Sequence, residues 1–527
     1  MRKSLLLAAV IPFFASAALA HEDDSSASGL KVGKVKFANS CSPKVQQNLQ
    51  TGVAMLHSFW WPAGQNAFQE LAAADPNCAI AACGFASILM YNPFAGGTTP
   101  PADVARAQAA VEKGRAMKAS QRDKDYLEAV AAYWEDYASR TERQRALARS
   151  RAYEALAAKY PKDDEAQIFN ALYLIAIQEA ADQTYANSLK AAAILEKQFA
   201  KYPNHPGVAH YLIHAYDAPP VAQKGLRSAR KYAGIAPAAP HALHMPSHIF
   251  TRVGAWQDSV ATNRRSADVA LKGKEGDDAL HALDYVVYAY LQLARDGDAR
   301  RTAGEAAAIA PSTGRFVAPY PLAAIPARLA LERGAWREAA QVAPTPSKFP
   351  FTEALSHQAR AIGAARMGDA AAAKADLEKI TEKRDALRAA KNNYWATEVE
   401  VMRLSAAGWI AFAESNGDEA LRLMREAADT EDKNEKHPVT PGRLLPAREQ
   451  LGDLLIELKR PAEALKEYEQ SQKREPERFR GLYGAALAAE MSGDAKSARK
   501  YYTRLVQVAG KGEARPELVL ARGFLAQ

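Results

Sequence analysis

The residues best suited to chemistry in this sequence are histidines in two regularly placed pairs. His210 and His214 are four residues apart, and the pair recurs as His244 and His248 at an offset of 34 residues (244 − 210 = 34). Residues four apart lie on one face of a helix, so each pair would present two imidazoles side by side. Neutral imidazole is a good ligand for zinc and copper. The spacing therefore predicts a zinc or copper site made from both pairs, if neighbouring helices bring them together.

Other polar residues lie close to these pairs. His205 and Asp217 flank the first pair, and His241 precedes the second. His281 and Asp284 open the next predicted helix, where they could supply a further ligand or a partner that orients one. We expect these five residues to border the same groove or ligand site. The alternative is that the histidines form a partly buried polar layer that hydrogen-bonds internally and holds no ion.

The offset of 34 residues also predicts the fold. Pro203 and Pro206 recur as Pro237 and Pro240, so whole units repeat, and 34 residues is the period of the tetratricopeptide repeat (TPR). Small and aromatic residues recur at the same offset near the C-terminus: Ala464, Tyr468, Ala498 and Tyr502. No strand alternation of comparable length is present. The sequence therefore predicts an all-α, right-handed superhelical solenoid of TPR-like helical hairpins, with a concave groove lined by the first helix of each unit.

The predicted organisation has five parts. Residues 1–20 combine a basic start, an apolar run and an Ala-Leu-Ala end, which predicts a signal peptide cleaved at Ala20 and a periplasmic or secreted protein. No later apolar run is long enough for a transmembrane segment in the mature chain. The remaining parts are an N-terminal arm (21–43), a divergent TPR-like solenoid with the histidine-rich groove (44–430), a loop or hinge (431–445), and C-terminal TPR repeats with a capping helix (446–527).

Charge and cysteine content narrow the choice of partners and compartment. The formal net charge of +8 is mild for 527 residues, and basic residues alternate with acidic ones along most predicted helices. This pattern is typical of solvated faces, so no nucleic-acid partner is predicted. In an oxidising compartment one disulfide is expected, and Cys41 with Cys78 would tie the arm to the first repeats. Cys83 would then remain a buried thiol.

Several segments resemble an uncharacterised family of exported bacterial TPR proteins. The resemblance is carried by HPGVAHYLIHAYD at 205–217 and by HALHMPSHIFTRVGAW at 241–256. VKFANSC, LHSFWW and DPNCAIAACGFA, at 35–41, 56–61 and 75–86, resemble the opening of the same family. The resemblance spans roughly residues 35 to 270 and implies the TPR fold, whereas it implies no particular activity.

Two functional classes follow from these observations. The first is a non-enzymatic periplasmic scaffold that binds a peptide or protein partner in its concave groove. The second is a zinc- or copper-binding protein, or a metalloenzyme, that uses the histidine cluster at 205–248. The sequence has no H-E-x-x-H, phosphate-loop or G-x-S-x-G motif, so no catalytic residue is predicted. A chelator should leave the scaffold's binding intact, whereas it should destabilise or inactivate the metal protein.

Overall fold

The computed structural model describes residues 29–94 and 99–527, and all regular secondary structure in these ranges is helical. The predicted signal peptide, residues 1–20, lies outside them. Within the described part of the chain, no helix combines the length and the apolar character needed to cross a membrane.

The helices pack in successive pairs, which is the arrangement that the 34-residue period predicts. The first nine are α1 (Gln46–His57), α2 (Trp61–Ala74), α3 (Ala79–Ile88), α4 (Pro101–Arg115), α5 (Gln121–Trp134), α6 (Glu142–Lys159), α7 (Asp164–Ala176), α8 (Ala186–Lys201) and α9 (Pro206–Tyr216). The next eight are α10 (Leu226–Ile235), α11 (Pro240–His244), α12 (Pro246–Arg252), α13 (Trp256–Lys272), α14 (Gly276–Gln292), α15 (Asp296–Ala307), α16 (Pro319–Leu331) and α17 (Trp336–Ala340). The last nine are α18 (Pro350–Arg366), α19 (Ala370–Ala389), α20 (Asn393–Ala413), α21 (Gly417–Asp432), α22 (Ala447–Glu457), α23 (Pro461–Arg474), α24 (Phe479–Met491), α25 (Ala495–Ala509) and α26 (Pro516–Leu525).

Local sequence signals set many of the helix ends. Pro206 and Pro240 occupy the first turns of α9 and α11, where a residue without an N–H costs nothing. The side chains of Asp369 and Asp494 accept hydrogen bonds from backbone N–H groups at the starts of α19 and α25. Gly254, between α12 and α13, has a φ of 71°, a conformation that glycine adopts without a steric penalty.

The core runs along the stack as three successive clusters of buried apolar side chains, within residues 32–250, 256–325 and 294–521. Each helix packs mainly against its neighbours in sequence. Near the C-terminus the Tyr468 ring fills the space beside Gly452 and Gly484, and a Cβ on Gly484 would lie 2.2 Å from its Cζ atom. The predicted fold class is confirmed, because successive hairpins bury one another's faces as in a TPR solenoid.

The segment 433–446, part of which was predicted as a loop or hinge, is a loop that packs inside the solenoid. Tyr285 on α14 donates its hydroxyl proton toward the carbonyls of Pro438 and Thr440, at 3.0 and 3.1 Å. The buried Arg328 on α16 donates to the carbonyl of Gly442 at 3.1 Å. These bonds hold the loop against the inner helices beside the histidines.

The N-terminal arm packs against the turns that precede α9 and α11. The Lys34 N–H donates to the carbonyl of Asn204 at 3.2 Å, and the Ala238 N–H donates to that of Lys31 at 3.3 Å. Farther along, a disulfide joins Cys41 to Cys78, with 4.7 Å between their Cα atoms. This bond ties the arm to the start of α3.

Candidate metal centre

Six histidines lie together on four neighbouring helices inside the solenoid. The structure divides them into two groups of three, and within each group the ring nitrogens offered by the three side chains lie within 4.8 Å of one another. We call these groups the first triad, which is His210 and His214 on α9 with His241 on α11, and the second triad, which is His244 on α11, His248 on α12 and His281 on α14.

This grouping differs from the four-histidine site predicted from the sequence. Each predicted pair joins a third histidine from the next element, instead of the two pairs converging on one point. The second pair is also divided between two helices, because Pro246 has no N–H with which to continue α11. Met245 keeps right-handed helical dihedrals (φ −52°, ψ −36°), so His244 and His248 still lie side by side.

The second triad contains two imidazoles whose unprotonated nitrogens face each other. His244 Nε2 lies 3.0 Å from His248 Nε2. His248 Nδ1 is 2.9 Å from Asp217 Oδ2, and His244 Nδ1 is 2.7 Å from Asn263 Oδ1. The Asn263 amide nitrogen donates to the carbonyl of Ser259 at 2.8 Å, which fixes the orientation of the amide. Both Nδ1 atoms must therefore carry the proton, and both Nε2 atoms are left with only a lone pair.

Two such nitrogens cannot hydrogen-bond to each other, and their lone pairs repel unless a proton or a metal ion lies between them. A proton is disfavoured here. Burial, followed by the neighbouring His281, lowers the pKa of His244 well below its usual value, and burial also lowers the pKa of His248 despite Asp217. With zinc–nitrogen bonds of about 2.0–2.1 Å, nitrogens 3.0 Å apart subtend an angle of about 90–100° at the ion. The spacing thus suits a shared ion.

His281 completes the second triad from α14. Its ring centroid lies 4.3 Å from that of His244. Its Nδ1 atom is buried and has no hydrogen-bond partner anywhere in residues 29–94 and 99–527. A buried nitrogen without a partner is costly, and a bound ion would satisfy it.

The first triad also brings two Nε2 atoms together, although among the described residues only His210 has an acceptor that holds its proton on Nδ1. His210 Nδ1 donates to the carbonyl of His57 at 2.7 Å, which leaves the lone pair of His210 on Nε2. That Nε2 atom lies 3.1 Å from Nε2 of His214. His241 Nε2 is buried without a partner among the described residues. Burial, and then the neighbouring histidines, lower the pKa of all three side chains well below the usual value, which leaves them neutral.

Both triads border one cavity of about 730 Å³. His214 and His241 reach it from the first triad, and His248 and His281 reach it from the second. The rest of its wall includes aromatic, basic and acidic side chains: Trp61, Tyr91, Phe316, Phe349, Arg315, Lys348, Asp277 and Asp278. The cluster is therefore open on one side to a space that can hold a small molecule.

The remaining predicted site residues bond to other groups. Asp217 accepts from His248 and also from Arg252 at 2.8 Å, so it orients a histidine. His205 Nε2 bonds to a carboxylate oxygen of Glu165 at 2.8 Å, away from both triads. Asp284 pairs with the buried Arg328 at 3.1 Å, and within the described ranges it forms no hydrogen bond with a histidine of the cluster.

Sequence reasoning did not identify Asn263, Glu165 or Lys436. Asn263 lies on α13, the second helix of its unit, and Glu165 lies on α7. The sequence separation of either residue from the histidines therefore does not predict a contact. Lys436 belongs to the interior loop, and its Nζ lies 4.0 Å from Asp217 Oδ2. Burial lowers the pKa of Lys436 to about 8. Only tertiary packing brings these three residues to the histidines.

Fold and site together define an all-α helical-repeat protein with a buried polyhistidine cluster that opens onto an internal cavity. No family model matches the chain, and no curated protein matches it.

Solved structures with some similarity to the chain include three helical proteins of low sequence identity. A crystal structure of the APC/C hetero-tetramer Cut9–Hcn1 is 12% identical over 91% of this chain and 95% of the other, with a TM-score of 0.30. A tetratricopeptide repeat protein from Parabacteroides merdae is 10% identical over 76% and 98%, with a TM-score of 0.23. The human IFIT1 dimer with m7Gppp-AAAA is 12% identical over 86% and 94%, with a TM-score of 0.34. None of them carries an argument about the function of this chain.

Proposed function

We propose that this chain is a transition-metal-binding protein, with zinc or copper held by His244, His248 and His281. The observation that carries the proposal is the 3.0 Å contact between His244 Nε2 and His248 Nε2, whose rings both direct Nδ1 at an oxygen acceptor. Metal-ligating histidines characteristically donate their other ring N–H to a carboxylate or carbonyl, as His248 does to Asp217. Three imidazoles with an open fourth position form a donor set that suits both metals.

A partner-binding scaffold remains a separate hypothesis. TPR-like solenoids commonly bind proteins or peptides along their concave surface. Beside the cluster, however, the chain's own 433–446 loop packs against the helices and is bonded there to Tyr285 and Arg328. We therefore expect any protein partner to bind elsewhere on the solenoid.

We further propose that the protein acts in the periplasm. The signal-peptide pattern of residues 1–20 supports this, and so does the Cys41–Cys78 disulfide, since such bonds persist in oxidising compartments. Fractionation of cells that express the full chain, with sequencing of the mature N-terminus, tests this location. An uncleaved chain in the cytoplasm would contradict it.

Metal content tests the proposed function directly. Protein made without a histidine tag is stripped with EDTA, incubated with zinc or copper sulfate, dialysed, and measured by elemental analysis. We expect at least one ion per chain in the wild type, and one ion fewer per chain in a variant with His244→Gln and His248→Gln. His357→Gln is the matched control, because His357 bonds to Asp376 outside the cluster. A wild type that retains neither metal refutes the proposal.

A further inference from the structure

We infer that the cluster holds two metal ions at once, one in each triad, and that the pair binds a small bridging anion from the shared cavity. This inference rests on the proposed function and adds to it a second ion and a class of ligand.

The first triad qualifies as a site in its own right. Its ligand nitrogens come from two helices, and the ring centroids of His210 and His241 are 5.0 Å apart. The unpartnered Nε2 of His241 is a separate observation from the Nε2–Nε2 contact of His210 with His214. Phe94 stacks on His214 with ring centroids 3.9 Å apart, and this contact holds that ring in place. A preorganised set of three neutral imidazoles is what a second ion requires.

The two triads lie close enough to act as one centre. Ring centroids are 6.0 Å apart between His214 and His248, and also between His241 and His244. Each ion would lie about 2 Å from its own ring nitrogens. This spacing brings both ions within reach of a single small ligand, as in two-metal centres, where the ions are about 3.5–4 Å apart.

The charge of the site determines the class of that ligand. All six ligand side chains are neutral imidazoles, so two divalent ions would bring four uncompensated positive charges. Asp217 is the only carboxylate in the described ranges that bonds to a histidine of either triad, and Arg252 already shares it. Lys436 adds a further positive charge 4.0 Å from Asp217. The cavity wall carries two further carboxylates, Asp277 and Asp278, of which Asp277 accepts hydrogen bonds from the backbone of residues 312–313. An added anion, such as hydroxide or azide, between the two metals would offset the charge that remains.

The cavity supplies the route for this anion. Two histidines of each triad border the cavity, so the positions left open by three protein ligands face the same space. Its volume of about 730 Å³ far exceeds what a bridging hydroxide or azide needs. The site can therefore exchange small anions without opening the fold.

Copper titration with electron paramagnetic resonance tests the inference on the full mature chain. We expect two Cu(II) ions per chain and an integrated spin clearly below the copper content, because neighbouring bridged spins couple. Azide should then change the optical spectrum with an end point of one azide per copper pair. This wild-type measurement needs no variant, so it remains decisive even where a substitution impairs folding.

Two variants sharpen the result. His210→Gln with His214→Gln should bind one copper and restore a full-intensity, uncoupled signal, and His357→Gln should behave as the wild type. One copper per wild-type chain, or two copper ions with full uncoupled intensity, overturns the paired centre and leaves the proposed function standing. No retained copper or zinc overturns both.

Discussion

Two neighbouring regions of the molecule contain clustered histidines, and they differ in the hydrogen-bond partners of the ring nitrogens. In the cluster of His57, Glu165 and His205, one carboxylate lies between two rings: His57 Nε2 is 3.0 Å from Glu165 Oε2, and His205 Nε2 is 2.8 Å from Glu165 Oε1. In the second triad, no carboxylate separates His244 Nε2 from His248 Nε2. The number of histidines is similar, but only the triad leaves its lone pairs facing each other.

The remaining atoms of the Glu165 cluster complete the contrast. His57 Nδ1 accepts from the Tyr211 hydroxyl at 2.9 Å, and His205 Nδ1 accepts from the Val208 N–H at 3.3 Å. Burial acts to raise the pKa of Glu165, but His205 and His57 together hold it well below the usual value. Every ring nitrogen in this cluster has a partner, so the cluster stabilises the fold and has no nitrogen to offer an ion. A histidine can bind a metal ion only through a ring nitrogen that carries no proton and has no other partner.

The largest expected effect is the loss of metal-dependent stability from the second triad. Zinc at 1,000 times its dissociation constant should raise the free energy of unfolding by about 4 kcal/mol. With His244→Gln and His248→Gln the part of this rise that comes from the second triad should be lost, because the facing nitrogens are gone. Urea unfolding with EDTA or with zinc measures it. Without zinc, the variant should stay within about 1 kcal/mol of the wild type, since the lost contacts are offset by the removed repulsion. Full zinc stabilisation of the variant would contradict the assignment.

The Glu165 cluster should respond in the opposite way. Glu165→Gln leaves an amide that can accept from one imidazole N–H while its own N–H group faces the other. We expect a loss of about 3 kcal/mol in the free energy of unfolding, equal with and without zinc. The exposed Glu70→Gln is the control and should change stability little. If Glu165→Gln abolished zinc binding instead, the metal site would belong to this cluster.

The contrast between the clusters also shows what the sequence can and cannot predict. The 34-residue offset predicts helical hairpins in the right register, and α9 and α11 begin at the equivalent residues Pro206 and Pro240. It cannot tell which nitrogen carries the proton, because this depends on Asp217 and Asn263, whose positions opposite the rings follow from tertiary packing. The break between α11 and α12 had a local signal in Pro246, since proline ends a helix that it cannot continue.

The periodic pattern could not predict the packing of the 433–446 loop, because this too depends on tertiary contacts. The sequence predicts a loop or hinge at 431–445 without indicating its burial, yet Lys436 and Thr440 are buried there. Thr440 bonds to the distant Tyr285 and Arg328, and Lys436 lies 4.0 Å from Asp217. No local spacing reveals these partners. The disulfide could be anticipated, because the choice among three cysteines is small and the structure joins Cys41 to Cys78.

Asp217 should have an intermediate effect within the triad. Asp217→Asn keeps an oxygen that can accept from His248 Nδ1 but removes the negative charge that strengthens His248 as a ligand. Loss of such an orienting partner typically lowers metal affinity about 10–100-fold. Competition titration with a zinc indicator measures the change. Asp376→Asn is the matched control, since Asp376 bonds to His357 outside the cluster, and it should leave the affinity unaltered.

The smallest effect should come from Lys436, the cation that approaches the triad from the interior loop. Burial lowers its pKa to about 8, so the side chain is charged below pH 8 and becomes neutral above it. A charged Lys436 repels a metal ion and competes for Asp217, so Lys436→Met should raise zinc affinity about tenfold, or about 1.4 kcal/mol, below pH 8. The advantage should shrink as the pH rises past the pKa, because the wild-type lysine then loses its charge. Zinc titrations of both proteins across this range measure it, with Lys496→Met, an exposed lysine outside the cavity, as the control. A gain in zinc affinity that persisted unchanged at high pH would arise from packing. It would contradict the claim that the charge of Lys436 weakens zinc binding.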